Sequence, residues 1–163
     1  MVSIKKYRLK DEGCRRYRVL NYEMHIVCPI CGRVLLVIGT RKRRIINSEG
    51  EKQTLIIRRL RCKECRAIHH ELPDTIVPYK RHCAENIEKI IAGDASAVYC
   101  DGSTVSRIRA WWAVCYLYFV SVLASLREKH GTVFSDPPAL VEIVRAVVNA
   151  HLWVHTRSAY LSG

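Results

Sequence analysis

Two Cys-x2-Cys pairs carry the clearest chemistry in the chain: Cys28-Pro29-Ile30-Cys31-Gly32 and Arg61-Cys62-Lys63-Glu64-Cys65, separated by 30 residues. A zinc ion takes four thiolates at about 2.3 Å in a tetrahedron, and two tight turns that each supply two sulfurs meet that demand. With all four positions filled by protein there is no open coordination site. The expectation is therefore one Zn2+, structural rather than catalytic, held by Cys28, Cys31, Cys62 and Cys65. Four thiolates leave the ion with excess negative charge, which Arg33, Arg61, Lys63 and Arg66 stand close enough in sequence to screen. Neither pair opens a helix after a strand, so a thioredoxin-like redox role is not expected. Cys14, Cys83, Cys100 and Cys115 have no partner at ligand spacing and read as ordinary thiols, while His69 and His70 read as strand residues.

The second chemical signal is charge. The formal net charge is +12, and residues 1–82 hold 20 Lys and Arg against 8 Asp and Glu, so the whole excess lies in that half. A single-sign field of this size attracts polyanions, nucleic acid first among them. Arg41-Lys42-Arg43-Arg44 and Arg58, Arg59 and Arg61 are the candidate phosphate contacts, because guanidinium groups form bidentate, charge-assisted bonds. Such contacts give affinity without sequence information.

These residues need elements to hold them. Residues 33–47 and 53–61 are rich in Val, Ile and Leu and flank Ser48-Glu49-Gly50-Glu51-Lys52, which predicts a β-hairpin connecting the two cysteine turns. Arg58 and Arg59 interrupt the alternation of Leu55, Ile57 and Leu60, so its register stays open. Beyond Pro73–Pro78 the composition turns neutral and helical, which places a domain boundary there. Cys83, Ile87, Ile90 and Ile91 predict an amphipathic helix through 80–92, ending at Gly93. Asp101-Gly102-Ser103 caps a longer helix closed by His130-Gly131, and Ser135-Asp136-Pro137-Pro138 opens a third with Leu140, Ile143, Val144, Val147 and Val148 on one face. The order around Gly93–Ser103 suits a helix-turn-helix, with Val105, Ile108 and Trp112 inward and Thr104, Ser106, Arg107 and Arg109 presented to a DNA groove.

Ala110 to Leu126 is a run of 17 residues without formal charge. A membrane span needs about 20, so the run reads as the buried central helix of a bundle and a membrane partner is not expected. In the alternative, Trp111 and Trp112 would be interfacial anchors. The charged start Met1-Val2-Ser3-Ile4-Lys5-Lys6 does not suit a secretory signal, and eight cysteines without a signal point to a reducing cytoplasm.

Read together, the halves predict an α+β protein: a β-rich zinc ribbon over residues 1–76, then a small all-α, helix-turn-helix-like bundle over 77–163. Cys-Pro-Ile-Cys-Gly at 28–32, the basic strand leading into Cys62-Lys63-Glu64-Cys65, and His70-Glu71-Leu72-Pro73 resemble the zinc-ribbon plus helix-turn-helix proteins of bacterial insertion sequences. The pattern is most similar to an uncharacterised bacterial family, a domain of unknown function, that continues with stretches like Val77–His82 and His155-Thr156-Arg157-Ser158. This resemblance implies binding of double-stranded DNA in a mobile-element setting, with a separately encoded transposase as a further partner. The catalytic domain of a transposase has no counterpart: Asp101 and Asp136 have suggestive spacing, but helix lies between them. The expected role is thus a non-enzymatic DNA-binding accessory or regulator. The alternatives are an adaptor that docks protein or RNA through the neutral helical half, or an incomplete transposase fragment.

Overall fold

The computed structural model describes residues 1–22 and 25–154. Its centre is strand β5 (Lys52–Cys62), bonded along both edges. On one side β4 (Leu35–Ile46) runs antiparallel to it from Ile46↔Lys52 to Leu35↔Cys62, forming the expected hairpin. The other edge is shared. Strand β3 (Arg16–Asn21) pairs in parallel with residues 54–56, and β6 (Ile68–Pro73) pairs antiparallel with residues 59–61. Outside these lie β2 (Tyr7–Asp11), antiparallel to β3, and β1 (Val2–Ile4), parallel to β6.

The result is a six-stranded sheet, which corrects the expected small zinc ribbon followed by a helix-turn-helix bundle. The physical reason is burial on both faces of β5. Leu55 and Ile57 enter a core with Ile4, Val19, Ile45, Leu72 and Ile76, whereas Leu60 and Cys62 enter another with Val2, Cys28 and Leu35. A strand covered on both faces carries no simple alternation, so its position inside a larger sheet is hidden. The outer edge of β4 bonds only at its ends among the described residues, through Leu35 N–H to Ile26 O and Ile46 N–H to Arg81 O. Between these points the strand is an open edge.

The helices are α1 (Ala84–Ile91), α2 (Gly102–His130) and α3 (Leu140–Asn149). Asp101 caps α2 as expected, its carboxylate accepting from Thr104 N–H at 2.7 Å and from the Ser103 and Thr104 hydroxyls. Hydrogen bonds from Ser103 and Thr104 hold its carboxyl down at about 2. Gly131, at φ +65°, closes the same helix by donating to Arg127 O. Two starts fall later than expected. Pro78 lies in the turn before α1, and α3 begins at Leu140, where Glu142 accepts from Ala139 N–H at 3.1 Å, rather than at the prolines.

The helix-turn-helix geometry is absent for a structural reason: residues 92–101 separate α1 from α2 and include a 3-10 turn at Ala95–Ala97. A helix-turn-helix allows about three or four residues there. The helical core gathers Ile87, Ile90, Trp111, Phe119, Ile143 and Val147. Trp111, not Trp112, is the buried tryptophan of the pair. The apolar run is also not a buried central helix: Val114 is 58% and Leu117 73% exposed. Helix α2 is long and apolar enough to cross a bilayer by length and composition alone, with 33% of its most apolar window buried. Helix α3 meets the sheet at β1, where Asn149 accepts from Ser3 N–H and donates to Ser3 O.

Candidate metal centre and basic face

The first cysteine turn is a small hairpin: Cys28 N–H donates to Arg33 O at 2.7 Å and Gly32 N–H to Cys28 O at 2.8 Å. The second opens where β5 ends, with Cys62 N–H donating to Ala67 O at 3.0 Å. Each turn needs a left-handed residue just after its second cysteine, Gly32 at φ +71° and Arg66 at φ +59°. Glycine takes that conformation freely, whereas an L side chain is strained by about 1–2 kcal/mol. Replacing Arg66 by Gly is therefore expected to stabilise the fold by about 1 kcal/mol, read as a raised melting temperature. An unchanged or lowered value would show that the Arg66 side chain contributes more than its backbone costs.

Folding brings the four sulfurs together. Cys28, Cys31, Cys62 and Cys65 have Sγ atoms within 4.8 Å of one another, with Cys28–Cys65 at 3.6 Å and Cys31–Cys62 at 3.4 Å. A tetrahedron with bonds of about 2.3 Å has edges of about 3.8 Å, so the cluster has the size of a tetrathiolate site. The spacing is far beyond a disulfide's, about 2.05 Å. One metal ion fits, as the paired motifs led us to expect. Burial opposes ionisation of Cys62, but hydrogen bonds from the Cys65 and Glu64 backbone and from neighbouring thiols outweigh it and bring Cys62 down to about 7.

His69 lies on β6, as the sequence suggested, yet it does more than fill a strand. It is 2% exposed and its Nε2 stands 3.4 Å from Cys28 Sγ. Burial lowers its pKa to about 4, so the ring is neutral, and with the Met1 ammonium 3.2 Å from Nδ1 the tautomer that suits both contacts carries its proton on Nε2, toward the sulfur. Ligand-orienting contacts of this kind tune a metal site without coordinating it. Its closeness in sequence to Cys65 was the only available signal.

The basic residues separate into distinct groups. Arg41 and Arg43 lie opposite Ile57 and Leu55, so they share a sheet face with Arg59 and Arg61 and with His70, the partner of Arg59. Lys42 and Arg44 point to the opposite face and are exposed. Arg58 behaves differently. Its Nε and Nη2 donate to the two oxygens of Glu71 at 2.7 and 2.6 Å, and Asn21 Nδ2 donates to the same carboxylate at 2.8 Å. Glu71 is 0% exposed and sits where β3 gives way to β6 along the edge of β5. Arg58 therefore holds strands together. The remaining candidates belong to α2: Ser106 Oγ donates to Gly102 O, Arg107 to Ser103 Oγ, and Arg109 Nε to Ile90 O at the end of α1.

A cleft of about 780 Å³ opens beside the basic edge, lined by Arg41, Arg43, Arg81, Tyr79 and His70 among others. The 79–83 turn forms its far wall, fixed to β4 by Ile46 N–H to Arg81 O and Cys83 N–H to Ile46 O. Lys80 from this turn reaches the Trp111 ring, 4.3 Å from its centroid, which ties the wall to α2. Tyr79 was not signalled by the sequence.

A branched six-stranded sheet with a tetracysteine cluster at one end and a basic, open edge defines a cysteine-cluster protein of the α+β kind. Residues 28–108 match the family model described as Domain of unknown function (DUF6431). The match starts at the first cysteine of the cluster and includes the other three, the basic edge and the Tyr79–Arg81 turn. The His155–Ser158 stretch noted in the sequence lies outside the described residues. No curated protein and no solved structure matches the chain.

Proposed function

We propose that the protein is a non-enzymatic DNA-binding accessory or regulatory factor of the cytoplasm, built around one structural Zn2+. The observation that carries this reading is the basic face of β4 and β5. Arg41, Arg43, Arg59 and Arg61 share it, and none of them takes part in an ion pair with a carboxylate among the described residues. Cations left without acidic partners on a rigid sheet suit the evenly charged backbone of a duplex. The thiolate set suits zinc, which favours tetrahedral sulfur sites. Association with a mobile element, and a separately encoded transposase as partner, rest on the likeness of the cysteine motifs alone.

Binding to a short duplex should weaken steeply with salt, with a log–log slope of about −0.9 per phosphate neutralised. Replacing Arg41 or Arg59 by Gln should each make the slope shallower by about one. Salt-insensitive binding, or variants that titrate like the parent, would count against the reading. A second reading, an adaptor that docks a protein through the helical half, is favoured by the exposed apolar side chains of Val114, Leu117 and Val120 on α2.

A further inference from the structure

We propose that the cleft between β4 and the Tyr79–Arg81 turn receives one unpaired nucleotide of a nucleic-acid strand, its phosphate on Arg41, Arg43 and Arg81 and its base against the Tyr79 ring. This rests on the nucleic-acid reading above and adds to it a strand type and a place. The volume, about 780 Å³, lies within the range of small-molecule pockets of roughly 300–1,000 Å³ and greatly exceeds what a bare phosphate needs. Six basic residues contribute atoms to its wall, Arg41, Lys42, Arg43, Arg44, Lys52 and Arg81, with no acidic residue among the lining.

Arg43 is the centre of this field. Its Nη2 donates to Lys80 O at 2.7 Å, but its Nε is buried without a hydrogen-bond partner among the described residues. Burying part of a guanidinium beside other cations costs free energy that a nearby carboxylate would normally offset. Here burial, then Arg41, push against the charged form of Arg43; Tyr79 favours that form, and Arg81 again opposes it. Burial, then Arg41 and Arg59, do the same to His70. An anion in the cleft reverses each of these repulsions and supplies an acceptor for the Nε–H.

Tyr79 gives the ligand its second half. It lines the cleft, is 46% exposed, and holds φ at +63°. A bulky residue in that conformation is strained, and such strain is characteristic of ligand clamps. An aromatic ring beside a cationic wall is how single strands are bound without sequence preference, the base stacking while the backbone meets the charge. A base in a closed duplex has no exposed face to offer, so the nucleotide is unpaired.

The test compares the full chain with its Tyr79→Gly and Tyr79→Phe variants. Glycine removes the ring and relieves the backbone, so the fold should keep or raise its melting temperature. Binding of a fluorescently labelled oligothymidylate should weaken about fivefold or more in Tyr79→Gly, and Tyr79→Phe should restore most of it. Affinity for a blunt duplex of the same length should change less than twofold between these variants. Equal oligothymidylate binding by parent and Tyr79→Gly, with duplex binding intact, overturns the cleft assignment and leaves the DNA reading standing. No binding of either nucleic acid overturns both. Thymidine monophosphate binding more tightly than the strand overturns the strand assignment and makes the cleft a free-nucleotide site.

Discussion

Replacing Cys62 by Ser is expected to abolish metal binding and unfold the end of the sheet where β4, β5 and β6 meet. Cys62 is 0% exposed and its side chain packs with Val2, Leu35 and Leu60, so it is at once a ligand and part of a core. Structural zinc contributes about 10–16 kcal/mol in small domains, as much as the entire stability of a typical fold, about 5–15 kcal/mol. Exhaustive chelation should act in the same direction. Metal analysis should return one zinc per chain, and loss of the ion should remove most of the sheet's circular-dichroism signal. Cys31→Ser, at an exposed ligand, should lose the metal with less direct damage to packing. Cleanly purified protein that lacks zinc, or whose melting is indifferent to a chelator, would refute the assignment.

The next largest effect is expected at the Arg58–Glu71 pair. Removing one member of a buried ion pair leaves an uncompensated charge and typically costs about 3–5 kcal/mol. Arg58→Ala would strand a fully buried carboxylate, so a loss of about 3 kcal/mol is expected, with the Asn21 amide still donating to it. Arg41→Ala, on the exposed edge, should change stability by less than about 0.5 kcal/mol. Chemical denaturation of the two variants separates these outcomes. If Arg58→Ala is as stable as Arg41→Ala, the buried pair is not what joins β3 and β6 to β5.

That contrast shows where sequence was sufficient and where it was not. The cysteine cluster was legible because thiolate spacing in two tight turns leaves few alternatives, and the folded sulfurs meet at metal-site distances. Asp101 and Gly131 were legible because caps are local. Arg58 was not: its neighbours Arg59 and Arg61 have the same charge, and only the long-range approach of Glu71 distinguishes it. The strands β2 and β3 alternate Tyr7 and Leu9, and Tyr17 and Val19, with basic residues around Gly13, a hairpin pattern masked by the charge of the segment. Helix α2 misled in the opposite sense, since a run without charge describes a buried helix and a half-exposed one equally. The positive φ of Tyr79 leaves no trace in residue type.

The open edge of β4 has a colloidal consequence. Leu36, Val37 and Ile38 are exposed at one end of a strand whose outer hydrogen-bonding groups have no neighbour over most of its length among the described residues. Such an edge templates aggregation unless charges keep like edges apart. Arg41, Lys42, Arg43 and Arg44 are those charges, gatekeepers placed beside the apolar stretch. Solubility and polyanion capture therefore depend on the same four side chains. A polyanion that neutralises them also lifts the repulsion between chains, so self-association should be most pronounced near charge balance and recede when either component is in excess.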